Sequence, residues 1–364
     1  MSGFSWVKVI IKINLLGVFL FFKNQQRSLI AFVMAFVFFI GTSSCMLGFK
    51  PLGANIDEEL SMAIDGGFDG VIVHVNQVDK TASYSAGWGD RKNQIPTNPD
   101  ALFKIASISK LYVAAATTML VSDGVLSLDA TLEDYLPEFS HRIENSSSIT
   151  LRMLLQHRSG IPDFLYHPNY YSTDVFENDD TYQFVLDQPE DFKPGSRYGY
   201  SNSNYFLIGE IMDKILNDSH QNYIRDEILM PLGLSNTHFL LRDIDINDVM
   251  KGYVIGVDDE DVFWKWEHVQ PSSSMIASAS DVAVFVKALV DGSLLTSNEQ
   301  SIYSSVYEYE HTGWLPGYTS IVRYHSNIDA VVVMFVNTSS DRGFWMDLER
   351  VYNRVVRVLE KNPI

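Results

Sequence analysis

The apolar positions of the chain form strand-like runs near both ends and helix-like patterns between them. Residues 70–75 and 82–88 predict two strands close to the start, and residues 319–324 and 330–336 predict two more near the end. A short strand is also predicted over 101–105, directly before a serine-rich helix start. Strands from both ends with helices between them predict an α+β fold, with one sheet built from the two termini and an inserted helical lobe.

The middle of the chain is predicted to be mainly helical. Residues 108–122 are apolar on nearly every face and predict a buried central helix that Gly124 ends. Ser280 is the expected cap of a later helix, and Ile215 is expected on the inner face of another. Residues 163–193 are aromatic and acidic and predict a long surface excursion near a site. Further helices are predicted over 56–64, 151–156, 203–216, 281–290 and 346–359.

The first 45 residues have the pattern of an export signal or membrane anchor. Lys23 and Arg27 precede an uninterrupted apolar run over 29–40. Small residues then lead to Cys45, the only cysteine of the chain. A positive flank, a short apolar run and small residues are typical of an export signal.

Cys45 has two interpretations. Small residues ending at a cysteine resemble the lipidation box of bacterial lipoproteins, although Thr42 stands where that box usually has leucine. The alternative is an uncleaved anchor with an incidental cysteine. Residues 6–22 are a further apolar stretch, either a first membrane pass or an over-extended gene start. Under both interpretations a tether follows over 46–54, and the part over 55–364 lies outside the cytoplasm.

Charge and cysteine content exclude some classes of function. The formal net charge is −18 over 364 residues, although the leader itself is positive. The chain after the leader is therefore strongly acidic. Such a protein repels phosphate backbones, and nucleic-acid binding is not expected. A single cysteine permits neither an intrachain disulfide nor a cysteine-based metal site. We expect no metal or cofactor, and the oligomeric state stays open.

Ser107 and Lys110 lie three residues apart at the predicted start of the central helix. Such positions share one face of a helix and are about 4.5 Å apart along its axis. A lysine buried there loses its proton more easily and can accept the proton of a serine. The spacing alone is a weak signal, because Ser5 and Lys8 in the leader share it.

Two further motifs each occur once in the chain. Tyr200 stands two residues before Asn202. A tyrosine can act as a general base if neighbouring cations lower its pKa, and an asparagine can orient a substrate amide. The other motif is predicted to open the C-terminal strands and consists of His311, Thr312, Gly313 and Trp314. Its glycine is expected to permit close approach of substrate, and an adjacent strand N–H to face an oxyanion.

These motifs and their flanking segments resemble the serine β-lactamase and penicillin-binding protein superfamily. The similarity lies in four segments: 103–110, 154–162, 194–202 and 311–318. Within the superfamily they are most similar to the class C β-lactamase-related branch, which includes DD-carboxypeptidases and esterases. The resemblance implies a two-lobed β-lactamase/transpeptidase-like fold with an antiparallel sheet flanked by helices. The sheet lobe would span about 55–112 and 265–364, and the helical lobe about 113–264.

The resemblance implies catalytic roles for three residues. Ser107 would be the acylated nucleophile, and Lys110 would assist its deprotonation. Tyr200 would act as general base and acid. The backbone N–H groups of Ser107 and Trp314 would form the oxyanion hole.

The resemblance also assigns the substrate contacts. Asn202 would hold a substrate amide, and His311 and Thr312 would line the carboxylate side. Either a cationic His311 helps to hold that carboxylate, or this histidine is structural. His311 departs from the β-lactamases of this branch, which have lysine there. A second departure is the run 272–275, Ser-Ser-Ser-Met, in place of a glycine-rich segment.

The implied function is a serine hydrolase that acts through an acyl-enzyme on an amide or ester. The leading substrate is a cell-wall peptide ending in D-alanine, and a small ester is also expected. A β-lactamase is one alternative, and a non-catalytic binding module on the same fold is another. His157 is expected to be structural, Arg350 either a surface residue or a ligand of a substrate carboxylate, and 258–261 a solvated loop rather than a calcium site.

Overall fold

The computed structural model describes residues 50–170, 178–257, 262–267, 269–340 and 342–364. Cys45, the apolar run 29–40 and the acidic run 258–261 lie outside the described residues, so what the sequence predicts for them stays a prediction. Within the described ranges, no helix combines the length and the apolarity that crossing a membrane requires.

The helices and strands alternate irregularly along the chain. The helices are α1 (Ile56–Asp65), α2 (Ser109–Ser122), α3 (Leu132–Tyr135), α4 (Leu151–Leu155), α5 (Asn178–Val185), α6 (Asn202–Leu216), α7 (His220–Ile224), α8 (Met230–Leu232), α9 (Val262–Lys265), α10 (Ala279–Asp291), α11 (Ser297–Val306) and α12 (Arg342–Lys361). The strands are β1 (Gly70–Gln77), β2 (Lys80–Asp90), β3 (Ile95–Pro96), β4 (Phe103–Lys104), β5 (Thr237–His238), β6 (Tyr253–Val254), β7 (Ile276–Ala277), β8 (His311–Leu315), β9 (Tyr318–His325), β10 (Ala330–Val336) and β11 (Thr338–Ser339). A 3₁₀ turn, Ala106–Ile108, connects β4 to α2.

Six strands from both ends of the chain form one antiparallel sheet. Their order is β3-β2-β1-β10-β9-β8, and Val73 of β1 lies opposite Met334 of β10. The prediction of an α+β fold with a sheet built from both termini is therefore confirmed. Because β8 is an edge strand, one row of its backbone groups has no partner strand in the sheet.

The sheet is covered by helices on both faces. Successive residues of a strand point to opposite faces. Val71 and Val73 accordingly pack in one cluster with side chains of α1 and α12. Ile72 and Val333 belong to a second cluster with side chains of α2 and α10. Full burial of each such side chain contributes about 1.5–3 kcal/mol.

The central helix α2 is buried, as its all-round apolar pattern predicts. All of its residues from Ser109 to Leu120 are buried. The chain reaches it through a sharp turn at Ala106, whose φ is +53°. This left-handed conformation costs about 1–3 kcal/mol for a residue with a side chain, and such strain is often found at functional sites.

Two helix boundaries differ from the prediction. α10 begins at Ala279, because the side chain of Ser278 rather than Ser280 caps it by accepting the N–H of Asp281. α12 starts at Arg342 and ends at Lys361, so it is longer than the predicted 346–359.

Two burial expectations are also wrong. Ile215, expected on the inner face of α6, is 40% exposed. The segment 163–193 is not simply a surface excursion, since Phe164, Tyr170 and Phe184 are buried in the main core. These rings pack against one another, with centroid distances of 5.1 Å and 5.4 Å. Aromatic side chains without a regular period can thus anchor a loop that a pattern of apolar spacing does not reveal.

Candidate active site

Ser107 contacts both of its predicted partners. Its Oγ lies 3.1 Å from Lys110 Nζ and 3.0 Å from Tyr200 Oη. Ser107 lies on the 3₁₀ turn, Lys110 on the first turn of α2, and Tyr200 just before α6. Residues 93 positions apart in the sequence thus meet at one hydroxyl.

Lys110 is completely buried and held by three oxygen atoms. Besides Ser107 Oγ, its Nζ donates to Asn202 Oδ1 at 2.8 Å and to the carbonyl of Ser272 at 2.9 Å. These last two atoms can only accept hydrogen bonds. A neutral amine with two N–H groups donates to both of them, and its lone pair is then left for the Ser107 hydroxyl.

Burial also favours the neutral form of this lysine. It lowers the pKa of Lys110 from 10.5 to about 7, although the negative charge of Asp163 opposes the shift. About half of the molecules therefore carry a neutral amine at pH 7. The site thus holds an amine that is unprotonated in part of the molecules at pH 7 and whose Nζ contacts Ser107 Oγ.

Asp163 is a site residue that the sequence did not reveal. It is 7% exposed, and burial raises the pKa of its carboxyl group. Its Oδ2 accepts the Nδ2–H of Asn202 at 2.9 Å. Asn202 therefore bridges Asp163 and Lys110, with both ends of its amide engaged. It positions Lys110, and only its second Nδ2 proton is left for the predicted contact to a substrate amide.

Tyr200 is held as a neutral phenol. The residue is 37% exposed, but its hydroxyl lies against Ser107. Desolvation, followed by the negative charge of Asp163, raises the pKa of Tyr200 well above 10. The condition that neighbouring cations lower this pKa is therefore not met. In the resting site Tyr200 donates a hydrogen bond, and Lys110 is the better base.

His157 supports Tyr200 from behind. Its ring stacks on the tyrosine ring at a centroid distance of 4.4 Å. Its Nδ1 accepts the backbone N–H of Ser201 at 3.2 Å and the side-chain N–H of Asn204 at 3.2 Å. Burial, with the positive charge of Lys110, lowers the pKa of His157 well below 6.5. The ring is thus neutral with its proton on Nε2, in keeping with the predicted structural role.

His311 is neutral as well. Its Nδ1 donates to the carbonyl of Thr312. Burial and the positive charge of Lys110 lower the pKa of His311 to about 4. Burial thus disfavours a cationic His311 at neutral pH, which supports the structural interpretation of this histidine. Both His311 and Thr312 are partly buried at the start of the edge strand β8.

Gly313 allows close packing beside the turn that carries Ser107, and the close approach of substrate expected at this glycine stays a prediction. A Cβ at this position would lie 2.2 Å from Ser320 Oγ and 2.4 Å from the carbonyl of Ile105. The missing side chain lets β8 lie against the turn that carries Ser107. It also places Trp314, which is 39% exposed, next in the strand. An oxyanion hole formed by the N–H groups of Ser107 and Trp314 stays a prediction.

Comparison with known proteins identifies the family. The Beta-lactamase family profile matches residues 50–306, well over half of the chain. This chain belongs to the β-lactamase family. The matched range contains Ser107, Lys110, Tyr200 and Asn202 and ends before His311.

Relatives in the β-lactamase family are distant in sequence. A penicillin-binding protein of Bacillus subtilis is 27% identical over 200 residues, which cover 53% of this chain and 43% of that protein. A putative D-alanyl-D-alanine carboxypeptidase of Escherichia coli is 24% identical over 279 residues, which cover 65% of this chain and 63% of that protein. The chain thus spans less than two thirds of the length of either relative.

Solved structures share the β-lactamase-family fold. The D-amino acid amidase of Ochrobactrum anthropi, complexed with L-phenylalanine amide, superposes with a TM-score of 0.72 at 24% identity. The superposition covers 84% of this chain and 96% of the amidase. The predicted β-lactamase/transpeptidase-like fold is therefore confirmed.

The structure also places two other residues that the sequence analysis singled out, Ser272 and Arg350. Ser272, in the run that replaces the family's glycine-rich segment, supplies the carbonyl that holds Lys110. Arg350 pairs with Asp347 at 2.6 Å on α12, a helix on the sheet face opposite α2. This position favours the surface interpretation of Arg350. No group of three histidine, cysteine or acidic side chains within the described ranges is arranged to hold a metal ion.

Proposed function

We propose that this protein is a serine hydrolase that cleaves an amide or an ester through an acyl-enzyme on Ser107. The observation that carries the proposal is the double contact of Ser107 Oγ, with a buried amine of lowered pKa on one side and a phenol on the other. A nucleophile within hydrogen-bond reach of a base that is itself oriented by further groups is the general arrangement for covalent catalysis.

Acylation follows from the positions of these groups. Neutral Lys110 takes the proton of Ser107 as Oγ attacks the carbonyl carbon of the substrate. The bond from the acyl carbon to the leaving atom then breaks, and Tyr200 gives its proton to that atom. A phenolate beside the Lys110 ammonium results, and return of the proton to Tyr200 resets both groups.

Deacylation uses the same groups in reverse. A water molecule replaces the leaving group, gives its proton to the base and attacks the acyl carbon. Ser107 leaves with a proton and the acid is released. We place the backbone N–H groups of Ser107 and Trp314 at the developing oxyanion, where β8 lies against the 3₁₀ turn.

The substrate that we propose first is an amide or a small ester whose binding does not require a carboxylate. Relatives named as penicillin-binding protein and D-alanyl-D-alanine carboxypeptidase support a D-alanine-terminated peptide as a further candidate. The neutral His311, however, supplies no positive charge for such a carboxylate.

Labelling with a fluorophosphonate tests the proposal. The wild-type protein should be labelled and Ser107→Ala should not. Hydrolysis of a p-nitrophenyl ester should fall by about 10⁴ or more in Ser107→Ala, as on nucleophile removal elsewhere. Ser301→Ala, at an exposed serine of α11, is the control and should behave as wild type. An unlabelled wild type that hydrolyses no ester would favour the non-catalytic binding module instead.

We further propose that the enzyme acts outside the cytoplasm, tethered to the membrane through a lipid on Cys45. The support is the sequence of the leader, with its positive flank, apolar run and small residues before the cysteine. Full-length protein expressed in bacteria should incorporate labelled palmitate, and Cys45→Ala should not. Palmitate on the alanine variant would contradict the assignment.

A further inference from the structure

A cavity of about 360 Å³ opens beside the candidate site, between the end of α11 and the start of β8. Tyr200 and His311, whose ring centroids are 6.3 Å apart, both line it. Tyr200 thus contacts Ser107 with its hydroxyl and also lines the cavity.

The proposed mechanism indicates which part of the substrate this cavity binds. The proposed donor of the leaving group's proton is Tyr200, so the leaving atom must lie next to its hydroxyl. Because Tyr200 also lines the cavity, a leaving group attached there has space to extend towards His311. The cavity therefore receives the leaving group rather than the acyl group.

The charged side chains that line the cavity are acidic. Glu308 and Glu310 both line it, and none of the described residues around it is a lysine or an arginine. After burial, the negative charge of Glu308 raises the pKa of Tyr198, another wall residue. The positive charge of Lys110, outside the wall, acts from the side of His157 and His311 and lowers the pKa of both. The negative charge of Glu310 is partly compensated by Arg323, whose Nε lies 3.7 Å from Glu310 Oε1.

The remaining wall is partly aromatic. The Tyr307 ring lies nearly parallel to that of His311, with their centroids 6.0 Å apart. Aromatic faces beside carboxylates are the surroundings that bind organic cations.

We propose that this cavity is a subsite for a positively charged leaving group, such as an alkylammonium alcohol or amine. The inference rests on the proposed function and adds the charge of the group that departs. In the reaction the acyl–oxygen bond of such an ester breaks, and the cationic alcohol leaves with the proton from Tyr200. Glu308, Glu310 and the rings then stabilise its charge.

Three esters of one acid test the inference: the choline ester, its neutral isostere the 3,3-dimethylbutyl ester, and the anionic 3-hydroxypropanoate ester. The wild type should prefer the choline ester over the isostere by about tenfold in kcat/KM at low salt, from exposed charge pairs and ring contacts together. The anionic ester should be the poorest substrate. Added salt should reduce the preference, because exposed charges are screened.

Variants assign the preference to the cavity. Glu308→Gln should reduce the ratio of choline to dimethylbutyl ester several-fold, and Glu308→Gln/Glu310→Gln should bring it close to one. Glu360→Gln, at an exposed position of α12, is the matched control and should keep the wild-type ratio. The rate of fluorophosphonate labelling at Ser107 shows in each variant that the site is folded.

The outcomes separate the two proposals. Equal kcat/KM for the choline ester and its isostere, with Ser107 still labelled, would overturn the cationic subsite and leave the hydrolase intact. An unchanged ratio in the double glutamine variant would also overturn it. If neither ester is hydrolysed and Ser107 is not labelled, the proposed function fails, and the subsite falls with it.

Discussion

The pH dependence of hydrolysis should report the protonation of Lys110. With the ordinary lysine pKa of 10.5, about one molecule in three thousand would carry a neutral amine at pH 7; with a pKa of about 7, about half do. Because only the neutral amine can take the proton of Ser107, kcat/KM for a neutral ester should fall as the pH drops below about 7. The fall should approach tenfold per pH unit.

Asp163→Asn is the perturbation that tests this assignment. The carboxylate favours the charged form of Lys110, so its removal should lower the lysine pKa further and move the acid limb to lower pH. Only the Asn202 amide separates the two groups, through hydrogen bonds of 2.8 Å and 2.9 Å. Charges about 8 Å apart at an effective dielectric constant of about 20 interact by about 2 kcal/mol, equivalent to about 1.5 pH units.

The assay is the pH profile of kcat/KM for a p-nitrophenyl ester between pH 4.5 and 9, a range chosen to bracket the pKa of about 7. Asp187→Asn is the matched control, since this aspartate pairs with Arg142 at the surface and should leave the limb in place. An acid limb that stays fixed in Asp163→Asn, or moves to higher pH, would refute the role given to Lys110. A limb that disappears in His311→Asn would assign the titration to the imidazole instead.

Two further substitutions probe the other side of Ser107. Tyr200→Phe keeps the ring against His157 and removes only the hydroxyl, so kcat should fall by about 10²–10⁴ while thermal stability changes little; a loss below threefold would exclude Tyr200 from proton transfer. Gly313→Ala places a methyl group 2.2 Å from Ser320 Oγ, so it should cost about 1–3 kcal/mol and lower the activity by displacing β8. A thermal melt checks the stability. A Gly313→Ala variant as stable and active as wild type would show that β8 can accommodate a methyl group at this position.

Much of the fold was predictable, because local composition and global topology agree. The β-branched runs of β1 and β10 have no helical period, and each lies at one end of the chain, so one sheet was the simplest solution. The all-round apolar pattern of α2 requires burial on every side, and the helix is indeed buried. Ser107, Lys110 and Tyr200 were found because the segments around them resemble those of one superfamily, since the spacing of Ser107 and Lys110 also occurs in the leader.

The electrostatics of the site were not predictable, because they depend on what surrounds each group. Residue types suggested a tyrosine made acidic by cations and a histidine that carries a charge. The structure instead gives Tyr200 a raised pKa and His311 a lowered one, and in both cases burial is the largest cause. Asp163 was not predicted for a related reason. Its contact to Asn202 joins residues 39 positions apart, and no pattern in the sequence indicates such a contact.

A lowered lysine pKa does not by itself mark a catalytic residue, and this chain contains the comparison. Burial lowers the pKa of Lys104 to about 7, as it does for Lys110 six residues later. The Nζ of Lys104 donates to the carbonyls of Trp264 and Trp266, at 2.8 Å and 2.7 Å. A carbonyl has no proton to give, so these contacts anchor a segment and transfer nothing. Lys110 differs because one of its three partners is the hydroxyl of Ser107, and that single contact turns a buried amine into a base.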